Sequence, residues 1–384
     1  MPDVVLVAPN SFKASLSARE AAAAIAKGFR AVCPEAMLRE LPLSDGGEGV
    51  VETLVAATAG SLRRASVTDA LGRPVQAAYG RLGDGKTVVV ELSSAAGLVQ
   101  VPPEARDPLR TTTRGVGELI AAAWAERPFE RLILALGGSA TVDAGVGLLQ
   151  ALGVRFRDTQ GAELPPGGGA LSRLAVISLA EAHPVLREAR IELAVDVTNP
   201  LLGPRGAAPV YAPQKGATPE VVEALEQALT QVAEVLARQF GGQIHDMPGT
   251  GAAGGVPATL VVIAEATMRP GFELIAEAVG LDEALAKARL VITGEGSLDA
   301  QSFEGKVVGR LAERCRVKGI PLVAIAGILT AEGEAQLAEA GGAAMPLVAG
   351  PLSREEAMAQ APALLEAAAA RLARLIRGRP AASR

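Results

Sequence analysis

The chain has 384 residues, 49% of them hydrophobic and 21% charged, with a net charge of −5. Such a length and composition exclude a disordered chain and predict a globular protein large enough for two domains. The acidic balance and the 3% aromatic content exclude a nucleic-acid or anionic-membrane surface and an aromatic stacking platform.

The first 65 residues read as strand, helix, strand, helix. An apolar strand at 4–8 leads to SLSARE, where Ser15 or Ser17 caps a helix running to about residue 32. Residues 41–43 run into the loop SDGGEG, and a helix follows from about 48 to 58. Residues 66–95 read as antiparallel strands with DALGRP and GDGK as turns. Next come a helix (114–126), a strand (131–136), a helix (140–151), a polar stretch (157–173) and the strand IELAVDV (191–197). A Pro/Gly-rich loop from Asn199 to Ala217, a helix at 218–239 and the glycine cluster PGTGAAGG (248–255) complete the middle. The C-terminal portion returns to the opening grammar: a strand at 289–293, the long loop GEGSLDAQSFEGK and a helix at 306–318. A strand at 321–327, a helix near 331–340, a strand at 343–348 and a helix to about 377 follow, with a frayed tail.

Buried strands alternating with helices predict α/β architecture with a doubly wound parallel sheet. The middle then reads as an inserted mixed α/β domain, 66–280, and the first domain as discontinuous, 1–65 and 281–384. No apolar run is long enough for a membrane span and no leader pattern opens the chain, so the expected location is cytoplasmic. Cys33 and Cys315 have no ligand-like spacing and are expected as buried or semi-buried thiols.

Four glycine-studded segments each carry a carboxylate or lysine at a strand-to-loop transition, and their convergence on one cleft would suit phosphoryl transfer. PNSFKASLSA places Asn10, Ser11 and Lys13 after the first strand, at the sheet edge where open parallel sheets bind ligands. SDGGEG sets Asp45 and Glu48 around a diglycine, which suits metal or proton chemistry and equally an N-cap with a capping box. LGGSATVDAG exposes Gly137, Gly138 and Ser139 at an expected helix N-terminus, with Asp143 in its first turn as a ligand group or a partner of the helix dipole. TGEGSLDAQSFEGK brings Glu295, Asp299 and Lys306, although Ala300 stands where a P-loop needs its first glycine. Asp196 is expected at the end of a buried strand, where a carboxylate is costly unless used, with Asn199 beyond it and Lys215 in PQKGA. PGTGAAGG is expected as a turn. Only His183 and His245 are histidines, so a histidine-centred triad is excluded, and no GxGxxG follows the first strand.

In this order, PNSFKASLSA, SDGGEG, LGGSATVDAGVG, DVTNPLLGPRGA, PQKGA, PGTGAAGG and TGEGSLDAQSFEGK resemble the bacterial glycerate kinase type-1 family over about residues 4–375. The resemblance implies a flavodoxin-like domain built from both chain ends, an inserted α/β domain and an active site in the cleft between them. It also implies ATP-dependent phosphorylation of D-glycerate, a Mg²⁺ requirement, and 2-phosphoglycerate in preference to 3-phosphoglycerate as product. Asp45, Asp196 and Lys13 would be catalytic, with Asp45 or Asp196 as base and the other helping to hold Mg²⁺. Asn10, Ser11, Glu48, Asn199 and Lys215 would bind glycerate, and Gly137, Gly138, Ser139, Asp143, Glu295, Asp299 and Lys306 would bind ATP. Domain closure would exclude water. Partners would be small molecules, with neither nucleic acid nor membrane, and a homodimer is compatible. Two departures stand out: Val142 replaces a frequent Asn before the aspartate, and VVGRLA (307–312) replaces a Pro-x-Gly-Val pattern. The rival readings are a kinase for another small hydroxy acid, a metal-dependent phosphatase or hydrolase, and a non-catalytic metabolite-binding regulator.

Overall fold

A computed structural model of the chain describes residues 4–13, 15–44, 46–47, 49–242 and 244–377. Among these residues the strands are β1 (Val4–Val7), β2 (Met37–Glu40), β3 (Ser61–Thr68), β4 (Pro74–Arg81), β5 (Thr87–Glu91), β6 (Arg131–Ala135) and β7 (Arg155–Arg157). They continue with β8 (Val176–Ser178), β9 (Arg190–Ala194), β10 (Thr267–Arg269), β11 (Ala288–Leu298), β12 (Leu322–Leu329) and β13 (Gly342–Pro346). The chain divides into two compact units, one of Met1–Asp45, Ala56–Thr58 and Phe272–Arg384, the other of Gly46–Val55 and Ala59–Gly271.

The first unit carries a five-stranded, all-parallel sheet in the order β13-β12-β11-β1-β2. Counted within that unit the order is 2-1-3-4-5, the flavodoxin-like arrangement, with its switch point between β1 and β11. Val5, Val7, Ile25, Phe29, Ile292, Ile325 and Leu365 belong to its core. The helix Ala18–Arg30 starts at Ser17, not Ser15, because Glu20 closes a capping box with Ser17. Its alanine-rich face lies so close to the helix Ala361–Arg377 that a Cβ on Gly28 would come within 2.0 Å of the Glu366 carbonyl oxygen. Cys33 and Cys315 are buried free thiols, and burial pushes Cys315 up to about 12.

The second unit carries a six-stranded mixed sheet in the order β10-β9-β6-β5-β4-β3. β3, β4 and β5 form the antiparallel part expected from the DALGRP and GDGK turns, and β5, β6, β9 and β10 run parallel. Within this sheet Glu192, with no exposed side chain, meets Arg131, Arg190 and Arg269. Burial pushes the Glu192 carboxyl up, but hydrogen bonds from Arg269 and Arg131 outweigh that and hold it below the usual carboxylate range. The helices Arg114–Glu126 and Pro219–Phe240 pack over the core, the latter capped by Thr218 with Pro219 in its first turn.

Several expected elements differ, the second strand among them, which ends at Glu40 before residues 41–43. The helix expected over 140–151 is Val146–Ala151, because Ala144 and Gly145 take positive φ values of 51° and 73° and break the turn before it. The strand expected over 191–197 ends at Ala194, where its pairing to β10 stops, and leaves Asp196 exposed. The burial cost that argued for a role of Asp196 therefore does not apply. The loop expected from Gly294 instead continues β11 to Leu298, since Gly294, Glu295, Ser297 and Leu298 pair with β12. A short turn of helix, Ala300–Phe303, follows it.

Candidate active site

In the parallel half of the second unit's sheet, Glu91 pairs with Ala135, Ala135 with Ala194, and Ala194 with Arg269. Residues just beyond these positions therefore emerge along one carboxyl edge, where open α/β sheets bind ligands. β5 ends in Glu91, β6 leads into Gly137–Ser139, β9 leads to Asp196, and β10 leads to Gly271.

The segment 46–55 lies on this edge. Gly46 has a φ of 97°, and a Cβ there would sit 3.1 Å from Asp196 Oδ2 and 3.3 Å from the Gly271 Cα. Glycine is thus required by the backbone conformation, and the carboxylate lies close beside it. A Cβ on Gly137 would lie 3.5 Å from the Gly47 Cα. Val51, at the start of the helix Val50–Ala57, donates its amide to Glu91 Oε1 at 2.8 Å. Three of the expected motifs, SDGGEG, LGGSAT and the segment beginning at Asp196, are brought together in this way. Asp45 and Glu48 themselves lie outside the described residues.

The loop after β6 is held from beneath. Leu98 donates its amide to the Gly138 carbonyl and Ala140 donates to the Ala96 carbonyl, each at 2.8 Å. The Thr111 hydroxyl donates to the Ala140 carbonyl at 2.9 Å. Lys215 is only 2% exposed, and its Nζ donates to Ser139 Oγ at 2.8 Å and to the Thr141 carbonyl at 2.7 Å. Burial pushes Lys215 down to about 7, and the charge of Asp143 opposes that shift. Gly137 and Gly138 are exposed, and the amides of Gly137, Gly138 and Ser139 find no acceptor among the described residues. They belong to a loop and not to the helix N-terminus expected for them, because the helix begins seven residues after Ser139, at Val146.

Asp143 is completely buried and does not open onto this edge. It accepts from the Thr113 amide and hydroxyl at 2.8 Å, from the Gly145 amide at 3.1 Å and from the Gly147 amide at 3.3 Å. Burial pushes its carboxyl up and these bonds pull it back. Val142 is buried without exposure, as a core residue. Asn199 is likewise used inside its own loop, donating Nδ2–H to the Arg205 carbonyl and accepting the Tyr211 hydroxyl. Asp196 accepts the Gly271 amide on Oδ1 at 2.9 Å.

In the first unit, β1 and β11 place a second group of residues at the sheet's switch point. Asn10 donates its amide to the Gly294 carbonyl and turns its own Oδ1 onto the Ser11 amide. A Cβ on Gly296 would lie 3.5 Å from the Lys13 nitrogen, so the PNSFK segment runs directly beside the glycines of β11. Lys13 is exposed and Glu295 is buried. Asp299 caps the turn Ala300–Phe303 in a box with Ser302, and Lys306 stands at the N-cap position of the helix Val307–Lys318 without a side-chain cap bond, its Nζ reaching Gln301 Oε1 at 3.4 Å.

Sequence reasoning missed Glu91. The run TVVV followed by Glu is an apolar strand closing on a carboxylate, the pattern that did single out Asp196. Burial pushes Glu91 up, against hydrogen bonds from the Val51 and Gly49 amides. Among the described residues, no cluster of three or more acidic, histidine or cysteine side chains could hold a metal ion, and none of the described helices is long and apolar enough to cross a membrane.

Sequence comparison matches the glycerate kinase family over residues 5–377. The chain belongs to the glycerate kinase family. Within that family, "Glycerate kinase" of Bacillus subtilis is 43% identical over 373 residues, 97% of each chain. "Glycerate 2-kinase" of Escherichia coli is 45% identical over 326 residues, 85% of each. A crystal structure described as a glycerate kinase 2 from Salmonella typhimurium LT2 matches with a TM-score of 0.90 at 43% identity, covering 98% of this chain and 99% of that one. The glycerate kinase family membership makes this chain an enzyme, a phosphotransferase with an alcohol group as acceptor and ATP as donor.

Proposed function

We propose that this enzyme phosphorylates D-glycerate on the carbon-2 hydroxyl, giving 2-phosphoglycerate and ADP. The observation that carries the reading is the carboxyl edge of the second unit. There, three loop amides at 137–139 with no acceptor among the described residues stand on the same sheet edge as the exposed carboxylate of Asp196. The relative named glycerate 2-kinase, at 45% identity, supports carbon 2.

Phosphoryl transfer asks for positioning, charge neutralisation and a group to accept the hydroxyl proton. In the second unit the amides of Gly137, Gly138 and Ser139 receive phosphate oxygens. Asp45 or Asp196 accepts the proton of the glycerate hydroxyl. In the first unit the ammonium of Lys13, exposed beside β11, binds an anionic group, with Ser11 and Asn10 alongside. Glu295, Asp299 and Lys306 serve the nucleotide, the last two from the N-terminal ends of the turn Ala300–Phe303 and the helix Val307–Lys318. Mg²⁺ in such sites keeps several waters and takes only one or two carboxylates besides substrate phosphates, so the exposed carboxylate of Asp196 is a hard oxygen donor that fits it without a larger cluster. It would neutralise charge developing on the transferred phosphoryl group. The net charge of −5 supports small molecules, not nucleic acid, as partners.

Incubation with ATP, Mg²⁺ and D-glycerate, read by phosphorus NMR, tests the proposal. A phosphomonoester signal coupled to one proton is expected. Coupling to two protons would move the product to 3-phosphoglycerate, and no phosphoglycerate from folded protein would favour another hydroxy acid.

A further inference from the structure

Lys215 is among the largest fully buried side chains in the molecule. Its place is set by the turn Pro213–Lys215 and by Gly216, whose φ is 96° and where a Cβ would fall 2.4 Å from the Arg106 carbonyl oxygen. The turn is therefore pressed against the backbone at 106, and the lysine is directed beneath the loop 137–141, where Nζ holds one side chain and one carbonyl. A neutral donor could make the same two bonds at far smaller desolvation cost. What lysine adds there is positive charge beneath amides that have no acceptor among the described residues.

We propose that Lys215 is a positioning residue for the donor substrate: acting through Ser139 and the Thr141 carbonyl, its ammonium fixes the loop amides for an ATP phosphate and adds charge to the anion site from below. This rests on the assignment of that loop to phosphate. It replaces direct contact of Lys215 with glycerate, since the side chain is enclosed. The charged groups on segments packed against it are Asp143, on the same loop, and Arg106, whose Nη1 reaches the Gln214 carbonyl at 3.5 Å. With the ammonium pushed down to about 7, its charge is present below neutrality and is withdrawn above it. Anion affinity should therefore weaken as pH rises past that value.

Steady-state kinetics and direct ATP titration on wild type, Lys215→Met and Ser139→Ala test this. Lys215→Met should raise KM for ATP by about tenfold, the scale of a lost charge-assisted hydrogen bond, with KM for D-glycerate within about twofold. Ser139→Ala, which removes one oxygen and leaves the lysine in place, should raise KM for ATP by a smaller factor. Wild-type KM for ATP should rise above pH 7 or so, and the Lys215→Met profile should be flat. Unchanged KM for ATP in both variants, or a loss of kcat alone, would overturn the proposal. A rise confined to D-glycerate would overturn it by placing a carboxylate on the loop. Were Lys215→Met not to fold, Ser139→Ala and the wild-type pH profile decide alone. Absence of glycerate phosphorylation by wild type would instead refute the function proposed above, and ATP titration of the same variants would still decide the role of Lys215.

Discussion

Asp143 and Asp196 show how far a single side chain's surroundings decide its work. Both follow apolar strands and both come directly after a valine, yet one is sealed and the other exposed. The carboxylate of Asp143 is the acceptor for the Thr113, Gly145 and Gly147 amides and for the Thr113 hydroxyl. Truncating it leaves those donors buried without a partner, at about 1–3 kcal/mol each. Asp143→Ala should therefore destabilise the protein by about 3–5 kcal/mol, the range for breaking a buried charged network, as measured by urea unfolding. Asp143→Asn, which keeps one acceptor oxygen, should cost less. A loss below about 1 kcal/mol for the alanine variant would mean that water or a shifted loop replaces the carboxylate. The sequence makes Asp143 a candidate but cannot reveal this role, because its partners Thr112 and Thr113 stand some thirty residues earlier and only the fold brings them in. Glu91 stays hidden for the same reason, since the amides it accepts belong to the segment 46–55.

Elements with a strong local signal are legible in the amino-acid sequence alone. The helices Arg114–Glu126 and Pro219–Phe240 fall within a residue or so of the ranges that their periodicity and caps predict. The sequence pattern predicts too short a β11 because Gly294 and Gly296 resemble loop residues. Gly294 is a glycine because the strand passes close to other chain segments: a Cβ there would lie 2.4 Å from the Ile325 carbonyl oxygen and 3.1 Å from the Phe12 ring. Close approach between elements is a tertiary fact that leaves only an ambiguous mark on composition. The same reasoning gives a test on the helix pair of the first unit. Gly28 faces backbone atoms of Glu366, so a methyl group there cannot be relieved by rotating a side chain and the helices must separate. Gly28→Ala should lower stability by about 1–3 kcal/mol or more, despite alanine's better helix propensity. Calorimetry should show this as a lower melting temperature; an unchanged or raised one would mean that the helices have room to move apart.

At the level of the whole molecule, the buried lysine sets stability against function. Burial shifts Lys215 from 10.5 to about 7, so between those values the unfolded chain holds a proton at this position that the folded chain has given up. Stability must then rise with pH across that window, by at most about 1.4 kcal/mol per pH unit from this one group. Substrate affinity should move in the opposite direction, because the ammonium that costs stability is the form that favours an anion on the loop above it. Other groups titrate as well, so the readout is the difference between wild type and Lys215→Met. Between about pH 7 and 9, the wild-type melting temperature should gain on that of the variant while its KM for ATP worsens relative to the variant's. Parallel movement of the two quantities, or none, would show that the lysine is held in one charge state throughout and that the loop's grip on phosphate owes nothing to its titration. Opposed movement is what a site shaped for ligand and not for maximal stability requires, since a methionine of similar volume would fill the same space without any desolvation cost.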